Sequence, residues 1–147
     1  MKKRNIWFTC TLALTVLTIL LLVTGSPLLT LSLNSANSIP LGTFITWIGM
    51  ICLPLSIYWG IQELRQPTRK ASMILSNTLK CIIILGILWV PISYFLAGNL
   101  SFSFTEKETF QGGQFAMKWF WRLSYGIGIG SLMVLLTYWI SLLFTKK

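Results

Sequence analysis

Four stretches of this chain, residues 6–24, 41–61, 73–97 and 116–144, are apolar almost throughout, and only Lys80, Lys118 and Arg122 break them with charge. Each meets the ~18 residues that a helix needs to cross the hydrocarbon of a bilayer. Inside lipid every backbone amide must find a partner within the protein, which a helix achieves within its own segment. The run Cys81-Ile-Ile-Ile-Leu-Gly-Ile-Leu-Trp-Val90 has no alternation of apolar and polar residues, so it does not fit a transmembrane β-barrel. The expected fold is an all-α integral membrane protein, a single four-helix transmembrane domain over residues 1–147 with its helices in two hairpins.

Composition agrees. Only 10% of the 147 residues are charged and 54% are hydrophobic, against the roughly 25% charged content of a soluble domain, and the mean hydropathy is +0.73. The first run follows the basic start Met1-Lys-Lys-Arg4 and precedes Val23-Thr-Gly25, as a secretory signal would. At 19 residues it is longer than the 7–15 residues of a signal's apolar core, which favours a retained span.

The residues that are missing narrow the chemistry. There is no His and no Asp, and Glu63, Glu106 and Glu108 are the only carboxylates. Triads, His-ligated haem or zinc, and paired-aspartate chemistry therefore have no side chains to use. No catalytic, cofactor-binding or metal-binding residue is expected. Cys10, Cys52 and Cys81 lie within apolar runs and read as buried thiols rather than a disulfide framework.

Lysine and arginine set the expected orientation. Lys2, Lys3, Arg4, Arg65, Arg69, Lys70, Lys80, Lys146 and Lys147 belong to one side, and Lys107, Lys118 and Arg122 to the other. Nine against three places both termini and the 62–72 connection in the cytoplasm of a cell with an inner, or plasma, membrane. The net charge of +9 is then a matter of topology and anionic lipid rather than nucleic-acid binding, for which the chain has no soluble domain. The tryptophans divide into two belts, Trp7, Trp59 and Trp139 toward the cytoplasmic ends and Trp47, Trp89, Trp119 and Trp121 toward the outer ends.

Helices in lipid associate where small residues let backbones approach. The fourth span holds Ser124-Tyr-Gly-Ile-Gly-Ile-Gly-Ser131. Gly126 and Gly130 mark one face, while Ser124, Gly128 and Ser131 mark nearly the opposite one, so both faces are candidates for helix packing. Thr11, Thr15 and Thr18 share a face of the first span and would either bond to backbone carbonyls and a neighbouring helix or line a polar path. Pro54 and Pro91 are expected to kink the second and third spans. Lys80 is the candidate for a functional charge at membrane depth; the alternatives are that it snorkels to the interface or, with Asn77 a turn earlier, fixes helix–helix register. Lys118, Trp119, Trp121 and Arg122 read as an anchor at the membrane interface.

In the connections, Ser26-Pro27 is an N-cap followed by a helix-starting proline. Leu100, Phe102 and Phe104 alternate with polar residues before Glu106-Lys-Glu108, the pattern of a small extracytoplasmic β-hairpin. The two glutamates read as its solvated turn. These features point to a non-enzymatic inner-membrane subunit that assembles with itself or with other membrane proteins. Such subunits occur in respiratory, secretion or envelope complexes and in defence or immunity systems. The 62–72 loop is open to a cytoplasmic partner, lipid is the surrounding ligand, and nucleic acid is not a partner. The alternative is a homo-oligomeric channel or passive transporter lined by the threonine face of the first span.

Overall fold

The computed structural model describes residues 2–33, 39–100 and 111–145. Among them there are six α-helices: α1 (Lys2–Val23), α2 (Leu41–Gly60), α3 (Gln62–Arg65), α4 (Lys70–Ile87), α5 (Trp89–Ala97) and α6 (Gly113–Thr145). A 3-10 turn, Pro27–Leu29, follows α1. α1, α2, α4 and α6 are long and apolar enough to cross a membrane. The described residues contain no strand, only an isolated bridge between Ser32 and Pro40. The expected β-hairpin, including Glu106 and Glu108, lies outside the described residues.

α2 is the hub. It packs against α1, α4 and α6, whereas α1 packs against α2 and the 3-10 turn and against no other described element. The crossings depend on two glycines. A Cβ on Gly49 would lie 2.5 Å from Cγ2 of Thr18, and a Cβ on Gly86 would lie 2.7 Å from the carbonyl oxygen of Met50. Adjacent residues at the middle of α2 thus meet α1 on one side and α4 on the other.

The prolines act unequally. α2 continues through Pro54, while the third span is divided at Leu88 into α4 and α5, three residues before Pro91. Proline has no N–H to offer the carbonyl four residues back; for Pro91 that carbonyl belongs to Ile87. The indole Nε1 of Trp47 donates to Ile87 O at 3.1 Å and to Gly86 O at 3.2 Å, so a side chain of α2 supplies the donor. α5 then ends at Gly98 in the left-handed region, φ 74°, where glycine carries no steric penalty.

Small polar side chains share the interior with an apolar core of Ile57, Leu79, Trp89, Phe120 and Ile127, while large apolar side chains cover the exterior. Buried positions include Thr11, Thr15, Thr18, Ser72, Ser76, Ser93, Ser124 and Ser131, while Leu17, Leu20, Ile74, Phe95, Ile129 and Leu143 face outward. Every buried position in α1 is a threonine. Water would favour the reverse arrangement; a lipid surrounding leaves no penalty on the apolar exterior and rewards close packing of small side chains.

Candidate functional site

The threonine stripe is a packing seam. Thr15 Oγ1 donates to Thr11 O at 2.8 Å, Thr11 Oγ1 to Trp7 O at 2.9 Å, and Thr18 Oγ1 reaches across to Ile45 O of α2 at 3.4 Å. The first two bonds return to the preceding turn of the same helix, and the third ties α1 to α2 beside Gly49.

On α6 the two expected faces differ. Ser124 and Ser131 are buried and donate to Phe120 O and Ile127 O, at 2.9 and 2.7 Å, and Ser124 Oγ also accepts the indole N–H of Trp89 at 2.8 Å. Gly130 faces Ile82 of α4, whereas Gly126 and Gly128 have open space where a Cβ would be. One face is therefore occupied within the chain over most of its length, and the other stays open at Gly126.

Two expectations are corrected. Trp89 is 1% exposed and lies in the core against Phe120, with ring centroids 5.7 Å apart, so it is no member of an outer tryptophan belt. Its indole N–H has found a hydroxyl across the bundle, which removes the polar reason for sitting at a headgroup. Cys10 and Cys81 are exposed rather than buried, and only Cys52 is interior; all three thiols are free.

At the α3 end of the bundle, Glu63 organises the connection. Its Oε1 accepts from Ser72 Oγ at 2.9 Å and lies 3.7 Å from Arg69 Nε. A carboxylate beside the first turn of α4 also complements the helix dipole. At the opposite end, Lys118, Trp119, Trp121 and Arg122 are all exposed on α6. The guanidinium of Arg122 lies 5.3 Å from the Trp119 ring, a cation–π geometry.

The α4 face turned away from the bundle is the unexpected surface. Asn77, Lys80 and Cys81 are exposed there with Ile74 and Ile84, while Ser72, Ser76, Leu79, Ile82 and Gly86 face inward. Lys80 stands ten residues beyond Lys70, roughly 15 Å along the helix. The amide and the ammonium do not join the Ser76–Gly86 seam, so they do not set the register within the chain. No pattern of hydropathy foretold which way they point.

Comparison with family models, curated proteins and solved structures finds no match to the chain.

Proposed function

We propose that this chain is a multi-pass inner-membrane protein with both termini in the cytoplasm, and that it works as a non-enzymatic assembly subunit. The membrane reading rests on four helices of spanning length and on an exterior covered by large apolar side chains, with threonine and serine turned into the helix seams. The orientation rests on the nine-to-three distribution of cations along the sequence.

The observation that carries the assembly reading is the outward placement of Asn77 and Lys80 within a span. A polar or charged group facing hydrocarbon is expensive unless it meets a partner or reaches the interface. A helix from a second copy or another membrane protein, laid against α4, would supply acceptors for both groups. The threonine face supports the channel alternative poorly, since its hydroxyls bond to backbone carbonyls of α1 and α2. A cytoplasmic partner at the 62–72 connection remains part of the reading, because Gln66 and Arg69 are exposed there.

The test is purification of the full chain in mild detergent, with its mass measured in solution. The expected result is an oligomer or a stoichiometric complex that is lost in an Asn77→Leu, Lys80→Leu double variant. Oxidation in a Cys10→Ser, Cys52→Ser background separates the two kinds of partner: a disulfide-linked dimer through Cys81 indicates a second copy. A monomeric parent protein, or a double variant that assembles as the parent does, overturns the reading.

A further inference from the structure

Two grooves lie side by side on α6. The first, about 650 Å³, runs over Gly126 and Gly130 and ends at Met133. The second, about 460 Å³, lies between α6 and the α1–α2 pair, with Thr46 and Gly128 in its lining, and ends at Leu132. Trp121, Tyr125 and Ile129 line both and form the ridge between them. Residues four apart lie one above another on a helix, and the Trp121 and Tyr125 rings stack at 5.4 Å.

Lys118 and Arg122, one turn apart, line the first groove at one end, and neither forms an ion pair among the described residues. From Arg122 to Met133 is eleven residues, roughly 16 Å at ~1.5 Å per residue. That is about half of a ~30 Å hydrocarbon layer. Each groove is therefore as long as one leaflet is deep, with the cations at the interface end.

We infer that α6 holds one anionic diacyl glycerophospholipid astride the Trp121–Tyr125–Ile129 ridge, its phosphate on Lys118 and Arg122 and one acyl chain in each groove. The length of the grooves speaks for a lipid over a helix, because a spanning helix runs on through both leaflets. Width does so too. A helix about 10 Å across would fill 460 Å³ with roughly one turn, whereas an extended hydrocarbon chain needs only a narrow channel. Thr46 adds a polar feature: it is nine-tenths buried, it lines the second groove, and its Oγ1 has no hydrogen-bond partner in the protein. A lipid ester carbonyl is an acceptor of the kind this hydroxyl lacks. The site shares no residue with the α4 face and extends the proposed function rather than depending on assembly.

The geometry provides its own test. A Cβ added at Gly126 or Gly128 meets nothing within 4 Å, and each glycine lines one groove, so leucine at either position projects into that groove. The full chain in mild detergent is titrated with phosphatidylglycerol, its single-chain lyso form and phosphatidylcholine, and bound lipid is counted by native mass spectrometry. Phosphatidylglycerol is expected to bind roughly tenfold tighter than phosphatidylcholine. A Lys118→Ala, Arg122→Ala double variant is expected to lose that preference, and Lys118→Arg, Arg122→Lys to keep it. Gly126→Leu and Gly128→Leu are each expected to reduce diacyl binding to the level of the lyso lipid and leave the latter unchanged. Equal binding of the two headgroups, or diacyl binding unaffected by either leucine, overturns the inference. So does a Gly126→Leu variant that loses self-association while binding lipid normally, since the groove would then be a helix-packing surface.

Discussion

The indole N–H of Trp47 lies 3.1 Å from the carbonyl oxygen of Ile87, the backbone acceptor that Pro91 leaves without its helical donor. The break in the third span is thus stabilised by a neighbouring helix rather than by the span itself. Met50, on the same stretch of α2, is in the corresponding position relative to Pro54, and its carbonyl oxygen is the atom against which Gly86 packs. The two proline sites face each other across the α2–α4 contact, which makes this crossing the structural centre of the fold.

Trp47→Phe keeps the ring and removes the donor. The expected loss is about 1–3 kcal/mol, the penalty for leaving a backbone acceptor unpaired within a span where no water replaces the lost donor. Thermal unfolding followed by circular dichroism in detergent measures it, with Trp7→Phe, a ring on the exposed face of α1, as the control that stays near the parent protein.

Glycines on different helices should respond in opposite ways to the same substitution. Gly86→Ala drives a Cβ toward a backbone oxygen that cannot turn aside, and overpacking of this kind costs about 1–3 kcal/mol. Gly128→Ala meets nothing within 4 Å and, by helix propensity, is expected to be neutral or to stabilise by up to ~1 kcal/mol. Unfolding midpoints that move equally in both variants would show that the α2–α4 approach is not close.

Ser124→Ala removes the hydroxyl that accepts from Trp89 across the bundle. A loss of about 0.5–1.5 kcal/mol is expected. A double-mutant cycle with Trp89→Phe should show coupling between the two positions, whereas additive effects would indicate that the bond contributes nothing.

Glu63 should depend on its acceptor oxygen more than on its charge, because Arg69 is half exposed and exposed ion pairs contribute little. Glu63→Gln keeps an acceptor for Ser72, and Glu63→Ala does not. Limited proteolysis of the 62–72 connection is expected to speed up in the alanine variant and to remain close to the parent rate in the glutamine variant. Equal acceleration in both would assign the effect to charge.

Much of this architecture was legible in the sequence. The four long apolar runs have one structural solution in oil, and Ser26-Pro27 does open a 3-10 turn, with Ser26 Oγ accepting from Leu28 N at 3.4 Å. The spacing put Ser124 and Ser131 on one face of α6 without saying that this face turns inward, and it left the threonine stripe between a polar path and the α1–α2 seam where it lies. Facing was harder to read. In water the apolar side of a helix is the buried side, but here both sides of a span are apolar and hydropathy loses its contrast. Gly49 and Gly86 sit where α2 closely approaches α1 and α4, although neither belongs to a glycine cluster like that of α6. A signal for Gly49 was present in Gly42, Thr46 and Ser56, small residues that recur on one face of α2 and are all buried. The burial of Trp89 and the outward turn of Lys80 depend on which helices become neighbours. No local pattern encodes that choice.

The central claim, a bundle threaded four times through a lipid bilayer with its α3 connection on the cytoplasmic side, is tested most directly by one labelling experiment in intact cells. Cysteines are introduced singly at Gln66 and at Thr30, both exposed, in a background with Cys10, Cys52 and Cys81 replaced by serine. They are then treated with a membrane-impermeant maleimide. Labelling of Thr30→Cys in sealed cells, with Gln66→Cys labelled only after the membrane is opened, is the predicted result. Simultaneous labelling of both positions in sealed cells, or release of the protein from membranes by alkaline carbonate, would contradict it.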